Sequence, residues 1–307
     1  MSFAFLCPGQ ASQRVGMGYD FYNNTELGKK YFDIANDIMK IDIKDIIFNG
    51  PEKELKQTQY TQPAIYIVSV IIGELLINKG IKPICAAGHS LGEYSALALG
   101  KSFDFATGLE LVKIRSEAMQ NACNLKKGTM AAVIGLQDHE IIEICESQNN
   151  KGIVVAANFN AKAQVVISGE LDAIKSIIPL MKEAGALKVL ELNVSGAFHS
   201  PLMSSAKSIL SDKLSSINIK NSIFPIYTNI TALPISTSNE IKDALIKQLD
   251  SPVHWHQSIT QMINDGVKNA IEVGPGRVLQ GLTKRIDRSL NMSGVESLEQ
   301  IVNFKYV

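Results

Sequence analysis

A chain of 307 residues, 46% hydrophobic and 20% charged, can bury a large core spread over about two domains, which excludes a disordered or fibrous protein. Thirty basic residues balance thirty acidic ones, which argues against a dedicated nucleic-acid binder. The four cysteines (Cys7, Cys85, Cys123 and Cys145) are scattered with no CxxC pair, so they read as thiols of a reducing cytoplasm rather than as a disulfide framework or a zinc site.

The opening residues MSFAFLCPGQ have no basic region followed by an apolar run, so no signal peptide is expected. SFAFLCP reads as a short strand, and residues 26–40 as a helix. The most hydrophobic stretch, AIYIVSVIIGELLI (64–77), lies between Pro63 and Gly80, which read as helix start and stop signals. It is too short to span a bilayer and contains Glu74, so a buried core helix is expected and no membrane partner. PICAAG (83–88) reads as an apolar strand running into a helix over 90–99. Residues 108–122 read as a further helix.

Residues 128–194 then give TMAAVIGL as a strand, DHEIIEICESQ as a helix, and IVVAAN and QVVISG as strands. LDAIKSIIPLMKEAG follows as a helix and ALKVLELNV as a strand. The order βαββαβ is ferredoxin-like. The expected fold is α/β: a large domain (1–126 and 196–307) with a parallel sheet, and a small ferredoxin-like domain (127–195) inserted into it. After the insertion come a helix following FHSPLM, a strand at FPIYTN, helices at 239–249 and 255–265, a strand at NAIEVG and a last helix at 277–287.

GHSLG (88–92) fits GxSxG, the pattern that sets a serine on a sharp strand-to-helix turn with its hydroxyl exposed. The helix N-terminus aims N–H groups at an oxyanion, with the Leu91 N–H as the natural donor. Five letters also fit a purely structural turn; the apolar strand before and the helix after add specificity. A serine nucleophile needs a base. Among His89, His139, His199, His254 and His256, His199 is best placed. It lies in VSGAFHSPLM, directly after the insertion, at a domain junction where clefts form. A structural histidine is the other reading of that position.

In the 108–122 helix, Glu110, Lys113, Glu117 and Asn121 share one side, while Gly108, Leu111, Val112, Ala118, Met119 and Ala122 share the other. Arg115 falls in the middle of the apolar side. A buried guanidinium is costly unless carboxylate or hydrogen bonds satisfy it. Its partner is either an internal Asp or Glu or the carboxylate of a substrate.

Nine stretches occur in one order: PGQASQ (8–13), YTQPA (60–64), GHSLGEYSAL (88–97), LVKIRSEAM around Arg115, GTMAAVIGL (128–136), NFNAKAQVVISG (158–169), GAFHSPLM (196–203), KQLDSPVHW (247–255) and EVGPGRVLQGL (272–282). Together, over essentially the whole chain, they resemble the malonyl-CoA:acyl carrier protein transacylase family. The resemblance implies a hydrolase-like large domain with a ferredoxin-like insertion. It implies an acyltransferase of fatty acid synthesis that moves malonyl from malonyl-CoA to the phosphopantetheine thiol of acyl carrier protein. Ser90 would be the nucleophile and His199 its base, with the backbone N–H groups of Gln10 and Leu91 as the oxyanion hole. Arg115 would bind the malonyl carboxylate, and the Gln248 backbone carbonyl would orient His199, with no acid as third member. Met130, Asn160 and His89 would line the acyl pocket. The resemblance further implies a cytoplasmic monomer with no metal and no cofactor of its own. AFHS (197–200) resembles the malonyl-type rather than the methylmalonyl-type signature.

The chain departs from the family pattern at Ala11, usually glycine, at Cys7, often phenylalanine, and at AKAQ (161–164), more often SPGQ. If position 11 needs a positive φ, alanine adds strain beside the oxyanion loop. Arg277, Lys284, Arg285 and Arg288 are spaced to share one face of the expected last helix, either as a docking stripe for the acidic carrier protein or as a solvated surface. Competing readings are a serine esterase or thioesterase, a trans-acting polyketide synthase acyltransferase, and a non-catalytic carrier-binding module. A hydrolase would want a triad acid between serine and histidine. Asp172 and Glu183 lie in that interval, but on an inserted-domain helix poorly placed for the role.

Overall fold

The computed structural model describes residues 2–148 and 150–305. Its strands are β1 (Phe3–Cys7), β2 (Pro83–Gly88), β3 (Gly128–Ile134), β4 (Val154–Ala161), β5 (Gln164–Glu170), β6 (Lys188–Glu191), β7 (Ile226–Tyr227), β8 (Pro234–Ile235), β9 (Asn269–Val273) and β10 (Asn291–Val295). They form two sheets. The larger runs β10-β9-β1-β2-β7-β8, parallel throughout except for the antiparallel β7–β8 pair.

β1 is buried along its whole length, as a central strand covered on both faces must be. Phe3, Phe5 and Cys7 enter the core that holds the helix Thr58–Asn78. Ala4 and Leu6 enter a second core with Trp255, Ile259 and Leu279. This alternation is the period of two expected of a strand.

The helix Thr58–Asn78 starts one and a half turns earlier than Pro63 suggested. Proline has no N–H to give the Gln59 carbonyl, and that carbonyl instead faces the Ser116 hydroxyl at 3.5 Å. At 21 residues the helix is also long enough to cross a bilayer by length and composition, contrary to expectation, but 78% of its most apolar window is buried inside the protein. The helix expected to be last, Val278–Ile286, is followed by β10 and by the helix Leu298–Asn303.

The smaller sheet runs β4-β5-β3-β6 and is antiparallel throughout. Ala131, Val133, Val165 and Ile167 pack with Ile141, Ile174 and Ile177 of the helices Asp138–Ser147 and Leu171–Glu183. Met130 and Val166, one residue out of phase, face the large core instead. Main-chain bonds tie this sheet to the rest: Phe159 N–H donates to Val253 O (2.9 Å) and Val253 N–H to Ala157 O (2.8 Å). A cleft of about 660 Å³ lies between the open face of the small sheet and the ends of β1 and β2.

Candidate active site

Ser90 stands on the turn between β2 and the helix Gly92–Leu99. The turn is tight enough to require both flanking glycines. A Cβ on Gly88 would overlap the Gly92 backbone, and a Cβ on Gly92 would overlap the Cys7 carbonyl. Ser90 itself has φ 51°, in the left-handed region that costs a non-glycine residue roughly 1–2 kcal/mol. Its N–H donates to Asn229 Oδ1 (2.7 Å), and its carbonyl accepts from the Glu93 N–H (3.1 Å) and from Gln248 Nε2 (3.0 Å). These bonds hold the hydroxyl at the cleft.

Ser90 Oγ lies 2.8 Å from His199 Nε2, and His199 Nδ1 lies 2.9 Å from the Gln248 main-chain oxygen. A carbonyl only accepts, so Nδ1 carries the proton and Nε2 offers its lone pair to the serine. Burial, helped by the charge of Arg115, pushes the His199 pKa down to about 3 against the pull of its backbone hydrogen bonds. The ring is therefore neutral at physiological pH, the form a base needs.

Arg115 is completely buried. Its Nη1 donates to Gln62 Oε1 (2.6 Å), and its Nη2 to Gln248 Oε1 (3.0 Å) and Ser90 Oγ (3.2 Å). Among the described residues no carboxylate lies within ion-pair distance of it, and its Nε has no partner. Among the described residues the internal ion pair is thus absent: the guanidinium is held by two neutral side-chain amides and the Ser90 hydroxyl, with donor capacity to spare. Burial lowers its pKa, while Tyr94 and Glu93 oppose that shift.

Gln10, His89, Met130 and Asn160 all line the cleft with Ser90 and His199. The N–H groups of Gln10 and Leu91 have no acceptor among the described residues, which leaves both free for an oxygen at the serine. His89 turns away from the serine and bonds Asn160 Oδ1 through Nε2 (2.8 Å). His139 is exposed, and His254 and His256 sit at the start of the helix Trp255–Asn264, outside the cleft.

Over residues 4–301 the chain matches the acyl transferase domain family. The malonyl CoA-acyl carrier protein transacylase of Bacillus subtilis is 38% identical over 299 residues, 97% of this chain and 94% of that protein. The chain belongs to the malonyl CoA-acyl carrier protein transacylase family. The crystal structure of an acyl carrier protein S-malonyltransferase from Vibrio cholerae superposes with a TM-score of 0.94 at 39% identity, covering 98% of this chain and 99% of that one. A malonyl-transacylase in complex with a type II PKS acyl-carrier protein superposes with a TM-score of 0.94 at 37% identity, covering 98% of each chain.

The departures from the transacylase pattern now have a geometry. Ala11 has φ 77°, and Ala163, in the AKAQ hairpin, has φ 56°. Both alanines stand in the left-handed region where the family pattern has glycine. Replacing Ala11 by glycine is expected to stabilise the protein by about 1 kcal/mol. A rise in the urea midpoint at unchanged m-value checks this, and an unchanged midpoint contradicts it.

The expected basic stripe does not form. Lys284 and Arg285 lie on the helix Val278–Ile286, but Arg277 is its N-cap, 4.0 Å from Glu296, and Arg288 lies beyond its end. The four do not share one helix face. Arg285 instead reaches the cleft wall, where its Nη1 meets Gln164 Oε1 at 3.3 Å.

Three polar residues of the site were not singled out from sequence: Gln62, Asn229 and Glu93. Gln62 links Arg115 to the loop after β1 through Gln10 Oε1 (3.2 Å). Asn229 holds the elbow at both ends, by Ser90 N–H and by Gly88 O (2.6 Å). Glu93 had a signal: it is the one charged residue in GEYSALAL, a helix buried at every position.

Proposed function

We propose that this protein transfers the malonyl group of malonyl-CoA to the phosphopantetheine thiol of an acyl carrier protein through an ester on Ser90. One observation carries the proposal. A buried guanidinium with no carboxylate partner among the described residues lies 3.2 Å from a serine hydroxyl, which in turn lies 2.8 Å from a neutral histidine. A nucleophile beside an unpaired buried cation suits an acyl group that ends in a carboxylate.

The distal carboxylate of malonyl-CoA pairs with Arg115, which places the thioester over Ser90. His199 Nε2 takes the hydroxyl proton as Oγ bonds the thioester carbon. The carbonyl oxygen becomes an oxyanion between the Gln10 and Leu91 N–H groups. As the C–S bond breaks, the departing CoA sulfur takes the proton from His199. The phosphopantetheine thiol then gives its proton to His199 and attacks the ester. Ser90 leaves and recovers the proton. Each half-reaction returns His199 to its neutral form, and no redox partner is required.

The Nδ1 bond to a main-chain carbonyl supports a dyad and weighs against a triad hydrolase, because a carbonyl fixes the ring without adding a negative charge. All these groups come from one chain, so a monomer suffices. The structural neighbour that binds a polyketide carrier keeps a polyketide acceptor as a second reading beside fatty acid synthesis. The division into a hydrolase-like domain (1–126 and 196–307) and a ferredoxin-like one (127–195) is supported by the strand order β4-β5-β3-β6 with both helices on one face. Cytoplasmic placement is supported by four cysteines that are all free, buried thiols.

Incubation with malonyl-CoA and intact-mass measurement tests the proposal. Wild type is expected to carry one malonyl adduct that disappears when holo-carrier protein is added, and Ser90→Ala is expected to carry none. Equal labelling of Ser90→Ala would overturn it.

A further inference from the structure

Glu93 is a carboxylate with no evident role in the steps above, buried to 1% exposure one turn after the nucleophile. Its Oε2 accepts the Asn229 N–H (2.9 Å) and the Gln248 Nε2–H (3.0 Å). Gln248 Nε2 also donates to the Ser90 carbonyl (3.0 Å), while Gln248 Oε1 faces Arg115 Nη2 (3.0 Å). The chain Glu93–Gln248–Arg115 therefore runs through one carboxamide, whose two ends have nearly the same shape and opposite hydrogen-bonding character.

That carboxamide has two orientations. In the observed one every contact joins a donor to an acceptor. Turned over, Nε2–H would point at the Arg115 N–H groups, and Oε1 would point at the Glu93 carboxylate and the Ser90 carbonyl. A buried donor facing a donor, or an acceptor facing an acceptor, leaves polar groups unpaired at about 1–3 kcal/mol each. Glu93 Oε2 accepts whether or not the carboxyl is protonated on its other oxygen, so residue 93 reinforces the orientation that Arg115 and the Ser90 carbonyl also favour. Its placement also avoids a conflict. A direct Glu93–Arg115 ion pair would occupy the guanidinium edge that a substrate carboxylate needs. Acting through an amide, the acid steadies the guanidinium at Nη2 and leaves Nε unpartnered.

We propose that Glu93 is a positioning and specificity-determining residue: by fixing the Gln248 carboxamide it turns Oε1 toward Arg115 and holds the guanidinium edge beside Ser90 for the acyl carboxylate. The inference rests on the reading of Arg115 as the carboxylate-binding group. Gln248 then serves twice, by its main-chain oxygen on His199 and by its side chain on Arg115.

The test compares single-turnover acylation by malonyl-CoA and acetyl-CoA in Glu93→Leu, Glu93→Gln and Gln248→Met, with thermal melting in parallel. Glu93→Leu is expected to reduce the malonyl preference at least tenfold, chiefly by raising KM for malonyl-CoA and not for acetyl-CoA. Glu93→Gln, which keeps an acceptor at the Oε2 position, is expected to restore the preference to within about threefold of wild type. Gln248→Met keeps the main-chain carbonyl and removes the amide, so it is expected to behave like Glu93→Leu, and it carries the test should Glu93→Leu not fold. Equal loss of activity toward both acyl groups in Glu93→Leu, or an intact preference in Gln248→Met, would overturn the inference. Arg115→Ala is the control: if it keeps the malonyl preference, the failure lies in the reading of Arg115.

Discussion

Arg115→Ala is expected to abolish most of a malonyl-over-acetyl preference that a buried, unpaired donor can set on the order of 10⁴. In wild type, an acetyl group would leave the buried guanidinium with only Gln62, Gln248 and Ser90 as partners among the described residues. The cost of that unpaired charge would fall on the wrong substrate, which is the expected origin of a malonyl preference. Alanine removes the cation, so malonyl loading should fall steeply while acetyl loading changes little or rises. Arg115→Lys is expected to recover only part, because an ammonium cannot offer two parallel N–H groups while also keeping Gln62 and Gln248 satisfied. The ratio of single-turnover acylation rates for the two thioesters measures this. An unchanged ratio in Arg115→Ala would show that the carboxylate is recognised elsewhere.

His199→Ala is expected to slow acylation by roughly 10⁴–10⁶-fold, and adding Ser90→Ala to it should cost almost nothing more, because nucleophile and base act as a unit. The protonation state can be checked separately. With the pKa held down to about 3, the imidazole nitrogens should keep the NMR shifts of a neutral Nδ1–H ring from pH 8 down to pH 5. A titration centred near 6.5 in folded protein would contradict the geometry. The linkage has a definite sign. Below about 6.5 the unfolded chain binds a proton at this residue that the folded chain refuses, so stability falls as pH drops from there toward 3 and is insensitive to His199 above it.

Much of this site was legible because burial and chemistry disagree at a few positions. Arg115 stood on the apolar side of a clear 3.6-residue pattern, and the structure buries it there. Glu93 obeys the same logic but escaped it, because GEYSALAL is buried on every side and offers no periodicity to violate. The start of the helix Thr58–Asn78 was hidden for a related reason. Thr58, Thr61 and Gln62 are polar yet buried, and Thr58 and Gln62 are satisfied by tertiary partners, Ser195 and Arg115, that local sequence does not display. β10, with the sequence NMSGV, has too few apolar residues for a strand pattern and exists because β9 offers it a parallel edge. The basic stripe failed on helix length alone, since the helix Val278–Ile286 is shorter than the span from Arg277 to Arg288.

The main-chain tie at Val253 has a kinetic meaning. It joins the small sheet, whose open face walls the cleft, to the segment whose Gln248 carbonyl meets His199, so peptide hydrogen bonds hold that wall in place. Such a slot has a set width, and two long thiol-bearing arms must use it in turn. CoA that lingers, or rebinds, bars the door to the carrier's arm. Free CoA, itself a thiol, should therefore take the malonyl group back from the serine and lower the yield of loaded carrier protein in direct competition with it. The lifetime of the acylated enzyme is governed by traffic through the slot as much as by the reactivity of the ester.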